Sequence, residues 1–497
     1  MKRLGGDPRR TRIIVLLACV LGLESADLAT IGAAAAQLED AFHMSNAQLG
    51  LLAAISTFVG AVATVPMGAL ADRVPRVNLL ALAVSLWAVA MGACALAQTY
   101  GWLLLARLGL GAVTATAGPA IASLTGDYFP AAERGKIYGY ILSGELLGAG
   151  IGFVVSGSLA SAVSWRAAFA VLAVPAAALA LALWRGLSEP ERGAQREHEH
   201  GPKRSFGAAR RAVERRQVDP VRERVLHRDP GGLTLAQATR YVLRIPTNRW
   251  LIATAAVGYF FFAGMRTFAL VFVRGQLDLG QSAATVVLFV AGIGALTGVL
   301  VSGRLADKLI ERGRVDARVL VGAVSYLAAT ALLAPALLLG VLAAVLPLLT
   351  LSAAALSAPN PPLDAARLDI MPSGLWGRAE GIRTLLRQSA QAAAPLLFGL
   401  LADLLGGSGA GQSQQHIAPA TTRALQETFL IMLVPLGLAG LMLLRARRGY
   451  AADVATAIAS DERSLRSAGD EPPRRRPLRP RRRQARGSAA SPARTGG

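Results

Sequence analysis

Three ionisable residues stand inside long apolar stretches, where a charge is costly and therefore points to function. Glu24 and Asp27 lie three positions apart in the first stretch, so on a helix they share one face, and Arg107 lies in the fourth. Burial favours the protonated form of a carboxyl group, whereas a nearby arginine favours the ionised form. Opening an Asp27–Arg107 pair would therefore let Asp27 take up a proton, with Glu24 as its hydrogen-bonding neighbour. The alternative is a static ion pair that fixes helix packing.

Four further polar residues in apolar stretches are candidates for lining a cavity. Glu145 lies in the fifth stretch, Arg266 in the seventh, and Arg387 and Gln391 in the eleventh. Facing lipid would expose the guanidinium group of Arg266 to hydrocarbon, so a position facing a cavity or an acidic partner is favoured. For Glu145, snorkelling to the interface or pairing explains the residue as well as a cavity position does, and for Arg387 and Gln391 helix packing explains the residues as well as substrate contact does.

The composition is typical of a protein that crosses a membrane many times. Of its 497 residues, 53% are hydrophobic and 17% are charged, and the mean hydropathy is +0.44. Uncharged runs exceed the roughly 20 residues that a helix needs to cross a bilayer. Twelve helical segments are predicted, at approximately 12–38, 46–70, 76–97, 101–126, 135–161, 165–186, 249–273, 282–306, 317–338, 341–369, 379–404 and 424–445.

The net charge of +21 lies mainly outside these segments, since residues 1–12, 185–249 and 445–497 carry +4, +7 and +9. Basic residues that flank apolar helices are typical of the cytoplasmic side of a membrane, and they attract anionic lipid head groups. We therefore expect a multi-pass protein of the cytoplasmic membrane with both termini in the cytoplasm. Lipid head groups, and not nucleic acid, are the expected partners of the basic segments.

The domain boundaries follow from the same pattern. We predict an N-terminal six-helix bundle at 1–186, a flexible basic cytoplasmic linker at 187–248, a C-terminal six-helix bundle at 249–446 and a disordered basic cytoplasmic tail at 447–497. A short basic helix is expected around 205–216. The two cysteines and five histidines form no metal-binding pattern, and no P-loop indicates ATP as the energy source. No cofactor and no oligomer are implied.

One loop motif occurs twice, after the second and the eighth apolar segments. It has the form G-x-L-A-D followed by basic residues, and its members are Gly68, Asp72, Arg73 and Arg76 in one copy and Gly303, Asp307 and Lys308 in the other. The two aspartates are 235 positions apart, which is about half the chain. The sequence therefore contains two related halves.

The duplicated motif, together with the R-x-x-x-G pattern from Arg107 to Gly111, resembles the signatures of the major facilitator superfamily of transporters. The resemblance implies twelve transmembrane helices in two pseudo-symmetric six-helix bundles that rock about a central cavity. It also implies a latch between the halves, formed by the loop aspartates and their basic neighbours. Asp72, Arg73 and Arg76 would lie near residues 377–381, and Asp307 and Lys308 near residues 134–138.

Within the superfamily, the chain is similar to the spinster-like lipid carriers. The similarity rests on Asp27, on the pattern from Arg107 to Gly111 and on Asn360-x-Pro362. Leu28 stands where that group tends to have arginine, and Thr114 where it tends to have glutamate.

These features predict an all-α secondary transporter and not an enzyme. The expected activity is proton-coupled efflux of a hydrophobic or amphipathic compound, drug-like or lysolipid-like, with the proton gradient as energy source. The alternative within transport is uptake of an organic anion, with Arg266 and Arg387 as a charge clamp. A non-transporting receptor or scaffold is disfavoured, because it needs neither intramembrane charges nor a duplicated latch.

Overall fold

The computed structural model describes residues 8–71, 73–129, 131–190, 208–227, 233–372, 375–406 and 417–469, and this part of the chain is helical, without strands. The first half forms eight helices: α1 (Pro8–Ala33), α2 (Ala35–Phe42), α3 (Asn46–Ala71), α4 (Arg76–Ala95), α5 (Tyr100–Thr114), α6 (Ala117–Tyr128), α7 (Ala131–Ala162) and α8 (Trp165–Gly186).

The connecting segment and the second half form nine further helices. They are α9 (Ala208–Arg215), α10 (Leu235–Arg244), α11 (Pro246–Leu277), α12 (Gln281–Glu311), α13 (Ala317–Leu338), α14 (Leu342–Ser357), α15 (Asn360–Asp369), α16 (Trp376–Leu404) and α17 (Pro419–Gly469).

Twelve long helical rods account for the membrane-spanning part. Within the described residues, eleven stretches are long and apolar enough to cross a membrane, and two of these join α5 to α6 and α14 to α15. The twelfth rod is α16, which has 29 residues and is more polar because it carries Arg383 and Arg387. The predicted twelve-helix, two-bundle architecture is confirmed.

Each bundle has one end that carries the basic loops, at residues 73–75 in the first bundle and 312–316 in the second. We call this the basic end, and we call the opposite end, with the turns at 43–45 and 278–280, the far end. The chain enters α1 and leaves α17 at the basic end. The two ends matter because a carrier that alternates its access must open them in turn.

The fourth rod of each bundle is broken near its middle. The first break lies at Ala115 and Thr116, before Pro119, and the second lies at Ala358 and Pro359. A proline has no N–H to donate and its ring clashes with the carbonyl four residues earlier, which for Pro119 is Ala115. The break in the first bundle therefore precedes Pro119 by one turn.

Glycines allow α1 and α7 to lie in direct contact. A Cβ at Gly144 would overlap the backbone of Ala18, one at Gly148 the backbone of Gly22, and one at Gly152 would overlap Ala26. Small residues at a spacing of four let two helices approach until their backbones touch. The glycine pattern of the fifth rod thus builds the interface that holds the helix carrying Asp27.

The boundary predicted at residue 447 is wrong, because α17 continues as one helix to Gly469. Tyr450, Val454 and Ile458 follow one another at a spacing of four and are buried. This spacing places them on one helix face, so the extension has an apolar stripe of its own. Residues 470–497 of the predicted tail lie outside the described residues.

The linker, expected to be flexible, instead packs on this extension over the residues that the structure describes. Arg210 of α9 is buried and donates to Asp461 at 2.6 Å and to the carbonyl of Met371 at 2.7 Å. Arg224 donates to Asp453 at 2.9 Å. The helix expected around 205–216 is present as α9. The connecting segment is therefore fastened to the second bundle.

We expect Gly148→Ala to lower the free energy of unfolding of the purified protein by about 1–3 kcal/mol, because the added methyl group must push α7 away from α1. Thermal unfolding in detergent measures the change. Gly150→Ala is the matched control, since a Cβ at Gly150 meets no atom within 4 Å. Equal stabilities for the two variants would contradict this view of the α1–α7 interface.

Candidate functional site

A buried ion pair lies at the centre of the first bundle. Arg107 of α5 is 0% exposed and donates through Nη1 to Oδ1 of Asp27 on α1 at 2.5 Å, where the Asp27 side chain is 2% exposed. Its Nη2 donates to the hydroxyl of Ser56 on α3 at 3.0 Å. The Nε atom of Arg107 is buried and has no hydrogen-bond partner among the described residues. Three helices thus converge on one arginine.

Helix α5 approaches α3 closely enough for these contacts because Gly111 lies against it. A Cβ at Gly111 would overlap the backbone of Ser56. Gly111 is one turn beyond Arg107, so the glycine that brings the two backbones together also sets the reach of the arginine. The R-x-x-x-G pattern therefore has a direct structural purpose.

Three more charges surround this pair. Glu24 interacts electrostatically with Asp27 and with Glu145 of α7, and Arg266 of α11 interacts with Glu145 and Asp27. Glu24 and Arg266 are half-buried, and Glu145 is exposed. Arg266 belongs to the second bundle, whereas the three acids and Arg107 belong to the first. The predicted Asp27–Arg107 pair and its neighbour Glu24 therefore form one cluster with Glu145 and Arg266 that spans the interface between bundles.

Arg387 and Gln391 of α16 are one turn apart and both half-buried. The guanidinium of Arg387 stacks over the ring of Tyr259 at 4.6 Å from its centroid, an attraction between a cation and an aromatic face. Tyr259 is seven residues before Arg266, so the two lie on the same side of α11, about 10 Å apart along its axis. Arg387, stacked on Tyr259, and Arg266 itself therefore lie along the same side of α11.

The basic end of the first bundle contains a second charge cluster, which we call the Arg76 cluster. Arg76 is buried, forms a salt bridge with Asp127 and donates through Nε to Glu189 at 2.8 Å. Ser123 accepts from Nη1 at 2.9 Å. Glu189 also accepts from the backbone N–H of Val77 at 2.8 Å. The start of α4, the end of α6 and the segment after α8 are therefore joined by one arginine.

The second bundle repeats this arrangement. Arg318 at the start of α13 forms a salt bridge with Asp369 at the end of α15, and Asp369 accepts a hydrogen bond from the hydroxyl of Tyr450 at 2.7 Å. Asp307 pairs with Arg318 at 3.3 Å. Arg76 and Arg318 each begin the third rod of their bundle. The duplication seen in the loop motif therefore extends to an internal ion pair that sequence reasoning did not identify.

The two bundles touch each other at the far end. Asp403 of α16 binds the first residues of α3, Gln281 donates to the carbonyl of Ala33 at 2.7 Å, and Gly157 faces Thr285. Gly32 lies directly against the carbonyl of Arg266. These contacts join the bundles from the level of the central charges to the far end.

Comparison with known proteins identifies the family of this chain. The sequence profile of the Major Facilitator Superfamily matches residues 17–395. The chain belongs to this superfamily.

Members and solved structures of the superfamily resemble different lengths of the chain. An uncharacterised transporter of Bacillus subtilis, YybO, is 28% identical over 37% of this chain and 43% of its own length. A gallate transporter of Pseudomonas putida is 25% identical over 60% of this chain and 65% of its own length. A bacterial homologue of the human lysosomal transporter Spinster, crystallised in an inward-facing, unoccupied conformation, is 20% identical, with a TM-score of 0.71 over 90% of this chain and 99% of its own. The chain thus belongs to a superfamily of membrane transporters and has a spinster-like fold, and it spans less than two thirds of the length of these curated relatives.

The latch that the superfamily resemblance implied between opposite bundles remains a prediction. Asp72 lies outside the described residues, as do the side chains at positions 377 and 378 and at 134–136. Arg73 and Lys308 are exposed, and Gly303 faces Pro361 of its own bundle. In the state described, Arg76 and Asp307 bind within their own bundles.

The pKa of Glu189 makes the Arg76 cluster sensitive to pH. Partial burial acts to raise this pKa, but the hydrogen bonds from Val77 and Arg76 and the charge of Arg76 act more strongly, so the net pKa is below the ordinary 4.5. The ionised carboxylate is therefore the form that stabilises the fold. Its contribution is complete above about pH 4.5 and is lost as the pH falls through the lowered pKa.

We expect Glu189→Gln to lower the free energy of unfolding by about 1–2 kcal/mol at neutral pH, because a charge-assisted hydrogen bond to Arg76 is lost. The difference from the unchanged protein should shrink as the pH falls below 4.5. Thermal unfolding across this pH range measures it. Glu427→Gln, which breaks the exposed Arg423–Glu427 pair, is the control. If both variants melted alike at neutral pH, the proposed role of Glu189 would be wrong.

Proposed function

We propose that the protein exports a small hydrophobic or amphipathic compound from the cytoplasm in exchange for protons, by alternating access. The observation that carries this proposal is the central charge cluster that joins both bundles. In it, a buried carboxyl group, Asp27, is held by Arg107 of its own bundle and interacts with Arg266 of the other. A movement between the bundles changes the distance from Asp27 to one of its two cations.

Proton coupling follows from this arrangement by electrostatics. A carboxylate in a low-dielectric environment is stable only while cations or hydrogen-bond donors compensate its charge. If Arg266 moves away, or if Arg107 turns toward a substrate, Asp27 gains a proton instead. Glu24 supplies a second carboxyl group on the same helix face, next to Asp27. Proton binding and bundle movement are then two descriptions of one equilibrium.

The substrate class is inferred from the apolar surroundings of Glu24 within the first bundle. Apart from its charges, the cleft next to Glu24 is formed largely by apolar side chains of α1, α4 and α5–α6, including Leu23, Trp87 and Val113. Apolar walls with a few charges suit an amphipathic compound. The spinster-like fold is compatible with such a substrate.

The orientation is also part of the proposal. Arginines exposed on the linker helices, among them Arg211, Arg215 and Arg240, lie at the basic end. Basic residues favour the cytoplasmic side and contact anionic head groups there. The basic end would therefore face the cytoplasm of a bacterial plasma membrane. With the bundles joined at the far end, the state described would be the inward-facing one.

A second function within transport is favoured by two observations. Arg266 and Arg387 lie on the same side of the interface, and one relative is named a gallate transporter. Two arginines on this side would suit a compound with an anionic group at one or both ends. Under this reading the protein is an uptake carrier for an organic anion.

Ligand-dependent thermal stability separates the two functions. Probes would be a lysophospholipid, ethidium as a hydrophobic cation, and gallate, each tested with the purified protein. A ligand that binds the folded state at about 100 times its Kd stabilises it by about 2.7 kcal/mol. Stabilisation by lysophospholipid or ethidium supports efflux. Stabilisation by gallate alone, lost in Arg266→Gln and Arg387→Gln, supports uptake.

We expect Asp27→Asn to reduce pH-driven transport of the binding probe into or out of proteoliposomes to the level of empty vesicles, because asparagine cannot exchange a proton. Exchange of probe between equal concentrations should continue, since it needs no net proton movement. Asp278→Asn makes the same chemical change at an exposed residue with positive φ, a conformation that asparagine tolerates. Unchanged pH-driven transport by Asp27→Asn would refute the coupling role.

A further inference from the structure

The far end is closed by a carboxylate of one bundle on a helix of the other. Oδ1 of Asp403 accepts hydrogen bonds from the backbone N–H of Asn46 at 3.2 Å and from its side-chain amide at 2.9 Å, and Oδ2 accepts from the N–H of Ala47 at 2.9 Å. These two N–H groups open the 26-residue helix α3. The N-terminus of a helix has free N–H groups and a positive end of its dipole, so a carboxylate is stabilised there.

Glycines bring α3 and α16 together around this contact. A Cβ at Gly399 would overlap the carbonyl of Asn46, and a Cβ at Gly50 would overlap the carbonyl of Pro395. The two helices therefore touch backbone to backbone over the first turns of α3. The far end cannot open unless Asp403 leaves the N-terminus of α3.

A second carboxyl group lies next to this contact, and its charge is not compensated by any residue that the structure describes. Glu39 of α2 is 1% exposed. Neither of its carboxyl oxygens accepts a hydrogen bond from any residue that the structure describes. A buried carboxylate without donors or a cation is strongly destabilised, whereas a buried carboxylic acid is tolerated.

The charges on the neighbouring elements do not offset this. Helix α2 itself carries Asp40, and His43 caps its end, but both point to the surface more than Glu39 does. Helix α3 has no charged side chain. Helix α11 carries Arg274 near the far end of the bundle. Among the described residues, however, the charge that acts on Glu39 is that of Asp403. Burial first, and the charge of Asp403 second, raise the pKa of Glu39 well above its ordinary value.

We propose that Glu39 is a proton-binding site of the far-end gate: it holds a proton while Asp403 caps α3, and it releases that proton to the solvent on that side when α16 moves away. The proposal rests on the alternating access of the proposed function but not on proton coupling through Asp27. Under this proposal, the proton is the ligand of the far end and Glu39 is the residue that binds it.

The direction of the pH effect follows from linkage. Because the closed gate binds the proton more tightly than the open one, acid stabilises the closed gate. That stabilisation is complete below the pKa of the exposed carboxyl group and disappears as the pH rises through the pKa of the buried one. Between these two values, one proton changes the ratio of closed to open gates by about tenfold per pH unit.

Distances between spin labels across the far end test the proposal in the full-length protein without substrate. The labels go on Val163→Cys in the first bundle and Val341→Cys in the second, which are 69% and 63% exposed. The background carries Cys19→Ser and Cys94→Ala. From about pH 5 to about pH 9, we expect a population with longer distances to appear.

Glu39→Gln imitates the protonated form and should keep the short distance at every pH, whereas the neighbouring Asp40→Asn should behave like the background. A pH-dependent lengthening that survives Glu39→Gln, or a background without lengthening, would overturn the proposal. If Glu39→Gln does not fold, Asp403→Asn takes its place. It removes the neighbouring charge and weakens the cap, so the midpoint of opening should move to lower pH, and an unchanged midpoint would also overturn the proposal.

This experiment is independent of the central site. The label distances require no transport, so a failure of the Asp27→Asn test leaves them interpretable. Conversely, the comparison of Glu39→Gln with the background isolates the contribution of Glu39, so its absence leaves the Asp27–Arg107 coupling to be decided by the transport measurement.

Discussion

The structure depends on the high cost of an uncompensated charge in hydrocarbon. Arg107 and Asp27 satisfy this constraint together, deep in the first bundle, with Ser56 as a third partner. A pair of this kind contributes little net stability, because desolvation of both ions opposes their attraction. Its consequence is specificity: the side chains of three helices must keep one arrangement, or one of the charges must be neutralised. Proton uptake is the neutralisation open to a carboxylate.

The same constraint separates contacts that hold a bundle together from contacts that can break. Arg76 and Arg318 each join three elements of their own bundle at the basic end, and Arg210 fastens the linker to the second bundle. These internal pairs make each bundle a rigid body. The contacts between bundles are of another kind, namely glycine-mediated backbone contacts and hydrogen bonds to helix ends, as at Asp403. Water can replace the hydrogen bonds to helix ends at a small cost in free energy when the bundles separate.

The sequence predicted the architecture well because hydropathy and the repeated loop motif are strong local signals. It also singled out Asp27, Glu24, Arg107, Glu145 and Arg266, since an ionisable residue in an apolar run stands out whatever its neighbours are. The partners of Arg76 were not predicted, because Glu189 comes from a distant part of the chain and its position depends on how helices pack.

Two other features were missed for identifiable reasons. Residues 447–469 were assigned to a disordered tail on their charge, although the spacing of Tyr450, Val454 and Ile458 indicates an apolar helix face. Glu39 was not considered, because the first helix was expected to end at residue 38 and an acid in a loop needs no explanation. Its burial follows only from the packing of α2 against α11 and α3, which no local pattern contains.

The central charges and the far end are mechanically connected through the first rod. Asp27, Gly32 and Glu39 follow one another along α1 and α2, and Gly32 touches the backbone of Arg266, whose side chain interacts with Asp27. From Asp27 to Gly32 the helix rises only about 7.5 Å. A displacement of α11 from α1 therefore separates Arg266 from Asp27 and loosens the far-end contact in a single movement. Under the two proposals, Asp27 gains a proton when Arg266 leaves it, whereas Glu39 loses one when the far end opens, so protons at the two sites would act on this movement in opposite directions.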